Sequence, residues 1–199
     1  MIKFINLSND EPYIKFQKSF LSAQEMGEKY QEAISISSYD PTQKEVNSRF
    51  VNLKYIVDQE WIFFTNYRSN KANDFLAHNQ VSVLIFWQTI NTQIRIKANI
   101  FKTNKDFSDN HFQNRSKEKN ALSISSYQSK KIESYDEVVN NYKKTLMAME
   151  ENQERPEYWG GYSFVPSYIE FWRGMKYRLN KREAYTKIGD GWSKKILQP

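Results

Sequence analysis

A chain of 199 residues with 29 Lys and Arg against 23 Asp and Glu has a net charge of +6 and contains no cysteine. That length suits one domain with a sizeable core, and the charge favours anionic partners without specifying a fold; the absence of cysteine excludes disulfides, thiolate nucleophiles and Cys-ligated metal centres. No apolar run approaches the roughly 20 residues of a membrane-spanning helix, and the apolar stretch in residues 1–10 is too short for a secretory signal, so a soluble cytoplasmic protein with no membrane partner is expected.

Residues 13–30 carry Phe16, Phe20, Leu21 and Met26 among charged residues, a spacing that predicts an amphipathic helix packed on a larger body. From residue 33 the period changes to alternation. Residues 33–38 and 47–56 read as two strands joined by a turn at 40–43, and Asp58-Gln59-Glu60 turns the chain into a short apolar strand at 61–65. Three successive strands with short turns predict an antiparallel meander. Ser69 is placed to cap a helix over 71–78, and 81–87 and 93–98 read as two more strands, the second alternating cleanly enough to leave one face wet. The middle section is helical, at 106–115, 117–123 and 135–149. The last of these has an S-x-x-E capping box in Ser134 and Glu137 and a stripe of Val138, Val139, Tyr142, Leu146 and Met149. Strand patterns return at 162–165, 167–172, 177–187 and 192–197, with a turn at Ile188-Gly189-Asp190-Gly191. The order strands, helices, strands predicts a mainly β, α+β fold, an antiparallel barrel decorated by helices. It occupies one domain, with an N-terminal helical region to about residue 32 and a C-terminal region from about residue 155.

Neither G-x-G-x-x-G nor G-x-x-x-x-G-K-[ST] can be found among the six glycines, so a phosphate would have to be held by Arg, Lys and scattered backbone donors. The histidines, His78 and His111, form no H-E-x-x-H arrangement, and no metal site is expected. The run 170–182, Glu-Phe-Trp-Arg-Gly-Met-Lys-Tyr-Arg-Leu-Asn-Lys-Arg, carries the most information. Read as an extended strand it lines Lys176, Arg178, Asn180 and Arg182 along one face, which wants an anion.

Further segments accompany that run in a fixed order: Ser48-Arg49-Phe50-Val51-Asn52-Leu53-Lys54, Phe64-Thr65-Asn66-Tyr67-Arg68-Ser69-Asn70-Lys71-Ala72, Ser126-Tyr127-Gln128-Ser129 and Tyr158-Trp159-Gly160-Gly161. Together with Glu170-Phe171-Trp172, Arg178-Leu179 and Arg182, they resemble the pyridoxamine 5'-phosphate oxidase family, whose fold is an FMN-binding split β-barrel. The resemblance implies a homodimer with FMN at the subunit interface. It assigns FMN to Arg49, Phe50, Val51, Asn52, Leu53 and Lys54, to Phe64, Thr65, Ser69, Asn70 and Lys71, and to Gln93, Gln128, Ser129, Trp172 and Arg182. It assigns the phosphate of pyridoxamine or pyridoxine 5'-phosphate to Lys54, His111, Arg115 and Lys119. Arg178 and Asn180 would orient the substrate as the catalytic pair, with O2 as acceptor, H2O2 as co-product and no nucleic-acid partner.

The chain departs from the family pattern in places. Asn70 stands where a second basic residue is usual, with Arg68 as the available substitute. Positions that are commonly Tyr, Arg and Ser are His111, Arg115 and Lys119 here, and R-L-H becomes Arg178-Leu179-Asn180, exchanging a titratable imidazole for an amide. The i, i+4, i+8 spacing of His111, Arg115 and Lys119 predicts one face of a continuous helix, and on a regular strand Arg49 and Lys54 would face opposite sides. The alternatives are a flavoprotein of the same family with another substrate, a non-catalytic flavin-binding protein, and a single-strand nucleic-acid-binding barrel suggested by the charge and 16% aromatic residues.

Overall fold

In a computed structural model, which describes residues 1–150 and 152–199, the alternating segments pair into one sheet of nine strands. These are β1 (Lys3–Ile5), β2 (Ala33–Asp40), β3 (Glu45–Val57), β4 (Glu60–Asn66), β5 (Gln80–Trp87), β6 (Thr92–Lys102), β7 (Trp159–Arg173), β8 (Lys181–Ile188) and β9 (Gly191–Leu197). The ring β3–β2–β5–β6–β7–β4 closes because β4 pairs with both β3 and β7. All of its pairings are antiparallel, and β1 adds to β3 in parallel while β8 and β9 extend β7 outward. The antiparallel split barrel with helices is therefore the fold; β1 is a strand that the sequence pattern does not announce.

Closure depends on two long strands that change partners. β3 pairs with β2 over Glu45–Asn52 and with β4 from Leu53 onward. β7 pairs with β4 near its start and with β8 near its end. Where β3 changes partner its register shifts between Leu53 and Tyr55, a bulge at Lys54. Inward-facing Ile34, Ile36, Leu53, Ile56, Phe63, Val83, Ile85, Ile94, Ile96, Phe164 and Ile169 fill the barrel. Each such side chain contributes roughly 1.5–3 kcal/mol of burial.

Helix α1 (Glu11–Glu25) seals one end of the barrel. Its buried residues Tyr13, Phe16, Phe20 and Ala23 lie on one helical stripe, with the Phe16 ring 4.3 Å from Trp61 and 5.4 Å from Trp87. Leu21 and Met26 are exposed, so they do not belong to the packed face. The other helices are α2 (Asn70–Ala77), α3 (Lys105–Gln113), α4 (Lys117–Ser125) and α5 (Tyr135–Ala148). The N-cap half of the box forms at α5, where Glu137 N donates to Ser134 Oγ at 3.2 Å, yet α5 buries none of its own residues and its stripe is half-covered against α4. Among the described residues no helix is long and apolar enough to cross a membrane.

The strands expected at 162–165 and 167–172 are one strand, β7, with an irregularity near Ser167, and two further expectations require correction. Residues 177–187 are not one strand: Lys176–Arg178 is a short 3₁₀ turn, Tyr177 and Arg178 have φ of 57° and 60°, and β8 starts at Lys181. Pairing of Arg173 with Lys181 closes a hairpin here, so the intervening residues must reverse direction, and Asn180 Oδ1 accepts from Met175 N at 3.1 Å to hold the reversal. Lys176, Arg178, Asn180 and Arg182 consequently share no strand face. Nor do His111, Arg115 and Lys119 share a helix, because α3 stops at Gln113, where Asn114 bonds back to Asn110 O at 2.8 Å, and α4 restarts after the Ser116 cap.

Candidate active site

The bulge in β3 makes the site. With Leu53 and Ile56 buried inward, Lys54 and Tyr55 are consecutive side chains that both line the same outer cleft. The cleft has a volume of about 670 Å³ and adjoins a second cavity of about 700 Å³, the two sharing Phe50, Lys71 and Gln128. Arg49 lines the second cavity and Lys54 the first, as their alternation suggests.

Lys71 sits at the junction. It is the second residue of α2, after the Asn66–Ser69 turn, is 8% exposed, and donates at 3.2 Å to the hydroxyls of Thr65 and Ser69. Among the described residues no carboxylate is within ion-pair reach of its Nζ. Burial, helped by the Arg49 cation and opposed by Asp74, pushes its pKa down to about 8. Arg49 donates to Ser38 Oγ at 2.7 Å and lies 3.6 Å from Asp74, and burial lowers its pKa as well. Asn70, Gln128 and Ser129 line the second cavity, and Gln128 Oε1 accepts from Thr65 Oγ1 at 3.2 Å. Val51, Asn52, Phe64 and Thr65 line the first, whereas Leu53 and Ser69 are fully buried; the Leu53 backbone N–H is spent on Glu32 O. Arg68 does not stand in for the missing base at Asn70. It lies over the Tyr158 ring at 4.6 Å, away from both cavities.

At the far end of the first cleft stand Lys54, His111, Arg115 and Lys119, brought together despite the helix break. Arg115 folds back to donate to Ser123 Oγ at 2.9 Å and Lys119 O at 3.1 Å, and stacks over Trp159 at 4.3 Å. Burial brings its pKa down to about 10. The His111 ring stacks on Phe64 at 3.6 Å and 12°, and its Nδ1 is 2.8 Å from the Tyr55 hydroxyl. Burial, with Arg115, Lys54, Lys3 and Lys119 around it, drives His111 down to about 3, so it is neutral. Trp159 is fixed by Arg155, which pairs with Asp109 at 2.6 Å and donates to the Trp159 carbonyl. The two following glycines have no room for a Cβ: one at Gly160 would stand 2.2 Å from the Tyr67 hydroxyl and one at Gly161 2.5 Å from Thr103 Oγ1.

The remaining candidates lie elsewhere. Gln93, Trp172 and Arg182 form a row across three strands, Gln93 beside Trp172 and Trp172 beside Arg182, on the outer face of β6, β7 and β8. In the ring β6 is three strands from β3 in either direction, and Trp172 stands at the other end of β7 from Trp159 of the cleft wall, so the row lies away from the cleft. Arg182 donates to Glu170 Oε1 at 2.8 Å, and Glu170, 1% exposed, also accepts from Tyr168 at 2.7 Å and Arg95 at 3.3 Å. Burial alone would raise Glu170; the bonds from Arg182 and Tyr168 outweigh it and hold the carboxyl below its usual range. Arg178 is exposed on the turn beside the row, and among the described residues its side chain has no hydrogen bond or ion pair.

Some site residues escape a reading of the sequence. Glu32 accepts from Lys54 at 2.7 Å, placing a carboxylate in an otherwise cationic cleft. Burial would raise Glu32, but pairing with Lys54 and the terminal amine lowers it. Tyr55 and Trp159 complete the walls. A Glu just before a strand carries no local signal; Tyr55 could have been found only by knowing of the bulge.

Comparison with known proteins places this arrangement. Residues 159–199 match the family model described as the pyridoxine 5'-phosphate oxidase C-terminal dimerisation region. A pyridoxine/pyridoxamine 5'-phosphate oxidase of Leptospira biflexa is 34% identical over 95% of this chain and 89% of its own length. One from Thermosynechococcus vestitus is 36% identical over 76% of this chain and 72% of its own. The crystal structure of PhzG from Burkholderia lata, in complex with tetrahydrophenazine-1-carboxylic acid, superposes with a TM-score of 0.89 at 24% identity, covering 96% of this chain and 93% of PhzG. An FMN-binding protein of Nostoc punctiforme related to pyridoxamine 5'-phosphate oxidase gives 0.80 at 12% identity, covering 96% and 99%. The fold is thus that of FMN-binding split-barrel oxidoreductases. The chain belongs to the pyridoxine/pyridoxamine 5'-phosphate oxidase family.

Proposed function

We propose that the protein is an FMN-dependent oxidase that converts pyridoxamine 5'-phosphate and pyridoxine 5'-phosphate to pyridoxal 5'-phosphate as a homodimer. The observation that carries this reading is Lys71, a buried ammonium with hydroxyl partners, beside Arg49 and the start of α2. A cation desolvated in this way fits a phosphate, which would restore its lost hydration with charge-assisted bonds. Arg49, Lys71, Asn70, Thr65 and Ser129 would hold the FMN phosphate, and Gln128 and Phe50, shared by the two cavities, would lie along the cofactor. Bound FMN would supply a hydride acceptor for the C4' carbon of the substrate and a route for the two electrons to O2, which with two protons gives H2O2; the imine left from pyridoxamine 5'-phosphate would be hydrolysed by water to the aldehyde and ammonia.

The chain's own groups supply binding and orientation. Lys54, Arg115 and Lys119 attract the substrate phosphate, and stacked Phe64, His111 and Trp159 wall the ligand from water. Gln93, Trp172, Arg178, Asn180 and Arg182 do not line this cleft within one subunit: Gln93 is on β6 across the ring, Trp172 at the other end of β7 from Trp159, and the others on β8 or the turn before it. A homodimer in which the partner's row covers the cleft would complete the site, in keeping with the dimerisation region matched at 159–199. Arg178 would then orient the substrate ring with its unpaired guanidinium, and the Asn180 amide nitrogen would hydrogen-bond it while Oδ1 holds the turn.

The test is the visible spectrum of purified, FMN-loaded protein before and after pyridoxamine 5'-phosphate is added without oxygen. Bleaching of the flavin band is expected. Full flavin occupancy with no bleaching would reject the substrate and point to another anionic ligand of the same cleft, a reading favoured by Glu32 beside Lys54. Colourless protein that takes up no FMN would reject the flavin site itself.

A further inference from the structure

We propose that Tyr55 is a ligand-positioning residue: its hydroxyl holds His111 in the tautomer that carries its proton on Nε2, and that N–H donates to the anionic group drawn in by Lys54, Arg115 and Lys119. The inference rests on the proposed phosphate end of the cleft, but it concerns Tyr55, to which the family resemblance assigns no role.

The bulge at Lys54 turns Tyr55 into the cleft beside it. The Tyr55 hydroxyl meets His111 Nδ1 at 2.8 Å, and its ring packs edge-on against His111, Phe64 and Phe107 at 5.3, 6.1 and 5.2 Å. Stacking on Phe64 fixes the imidazole plane. Among the described residues Nε2 has no hydrogen-bond partner and is not one of the fully enclosed unpartnered atoms, and His111 lines the cleft, so an anion in the cleft can meet this nitrogen.

Chemistry then selects the tautomer. The groups facing His111 are Lys3 from β1, Lys54 and Tyr55 from β3, Arg115 from the α3–α4 junction and Lys119 from α4, so a further positive charge on the ring is disfavoured. Burial raises the pKa of the Tyr55 phenol, so it keeps its proton and can donate it. If the phenol donates to Nδ1, the one ring proton sits on Nε2 and faces an incoming anion as a donor. The other tautomer would present a lone pair to that anion and repel it. The pair therefore supplies a neutral, directed donor among point charges that attract from any direction, and specifies where the anion's oxygens stop.

The experiment is ¹⁵N NMR of histidine-labelled, FMN-loaded protein, with His111 assigned from His111→Gln, alongside titration with inorganic phosphate and steady-state kinetics on pyridoxamine 5'-phosphate. Wild type is expected to show protonated Nε2 and bare Nδ1 at neutral pH, with the Nε2–H signal moving as phosphate is added. Tyr55→Phe, which keeps the ring and its packing, is expected to mix the tautomers and weaken phosphate binding about five- to tenfold, raising KM similarly while kcat stays within about twofold. In the His111→Gln background Tyr55→Phe should cost nothing further. A bare Nε2 in wild type, or Tyr55→Phe with unchanged tautomer and phosphate affinity, would overturn the proposal. Because spectrum and phosphate titration need no turnover, failure to oxidise pyridoxamine 5'-phosphate would reject the substrate assignment and leave this result readable.

Discussion

The cleft beside β3 and the row across β6, β7 and β8 both present basic side chains, but in opposite electrostatic states. In the cleft Lys71 is desolvated with no carboxylate in reach among the described residues, and Lys54, Arg115 and Lys119 converge on one end. In the row Arg182 is already answered by buried Glu170, itself bonded to Tyr168 and Arg95. A preformed concavity in which Lys71, Arg115 and Lys119 have no carboxylate partner among the described residues can bind an anion even though Glu32 already answers Lys54, whereas a row whose Arg182 is settled by Glu170 contributes an aromatic face and a fixed guanidinium. The difference assigns affinity to the first region and orientation to the second.

The sharpest way to break that division is to remove one side chain from each region. Lys71→Met should weaken FMN binding about 100-fold, the loss of charge-assisted bonds to a phosphate left unpaired, while Trp172→Ala should cost about tenfold or less; both are read by flavin fluorescence titration. Equal losses would abolish the distinction. Arg178→Ala should lower kcat/KM for pyridoxamine 5'-phosphate about 30- to 100-fold with FMN affinity unchanged, as loss of an orienting charged contact predicts. If the row serves the partner's cleft, mixing Lys71→Met and Arg178→Ala proteins under conditions of subunit exchange should restore about a quarter of wild-type activity, since half the dimers are hybrids with one intact site each. No recovery would place both halves of each site in one subunit.

A pH series sharpens the cleft half. Lys71, its pKa lowered to about 8, is charged below that pH and neutral above it, so binding the FMN phosphate takes up a proton above pH 8. FMN affinity should be flat with respect to this group from about pH 7 to 8 and fall as pH rises further, by at most about tenfold per unit. Lys71→Arg should remove that slope. The smallest effect belongs to Glu32. Its pairing with Lys54 is partly exposed, so Glu32→Gln should lower the KM for pyridoxamine 5'-phosphate only about two- to fivefold by freeing Lys54 for the ligand.

Much of this architecture is legible in the sequence because it is local. Alternation at 33–38, 47–56, 81–87 and 93–98, the Ser134–Glu137 box and the Gly189 turn each act within a few residues, and all appear as strands, cap and turn. The family resemblance groups Arg49, Lys54, Lys71, His111, Arg115, Lys119, Gln128 and Ser129, and the structure lines the two adjoining cavities with them. What the sequence hides depends on partners remote in the chain. The bulge at Lys54 exists because β3 passes from β2 to β4, and no residue near it signals the switch. The reversal at 176–178 places Tyr177 and Arg178 in left-handed backbone without a glycine, because hairpin closure overrides their preference. Glu32 reaches Lys54 across the β2–β3 pair, a neighbour only once the sheet has formed.

β7 runs from Trp159, in the wall of the cleft, to Trp172, in the row. At the usual rise per residue that is a contour of roughly 40 Å along one continuous backbone. If the row of each subunit caps the cleft of the other, the same strand is a ruler between the two active centres of the dimer. Its length, fixed by covalent geometry, sets their separation. Removing two residues from its middle would keep every side chain on its proper face and still shorten the ruler by about 7 Å, enough to leave both centres misfitted at once.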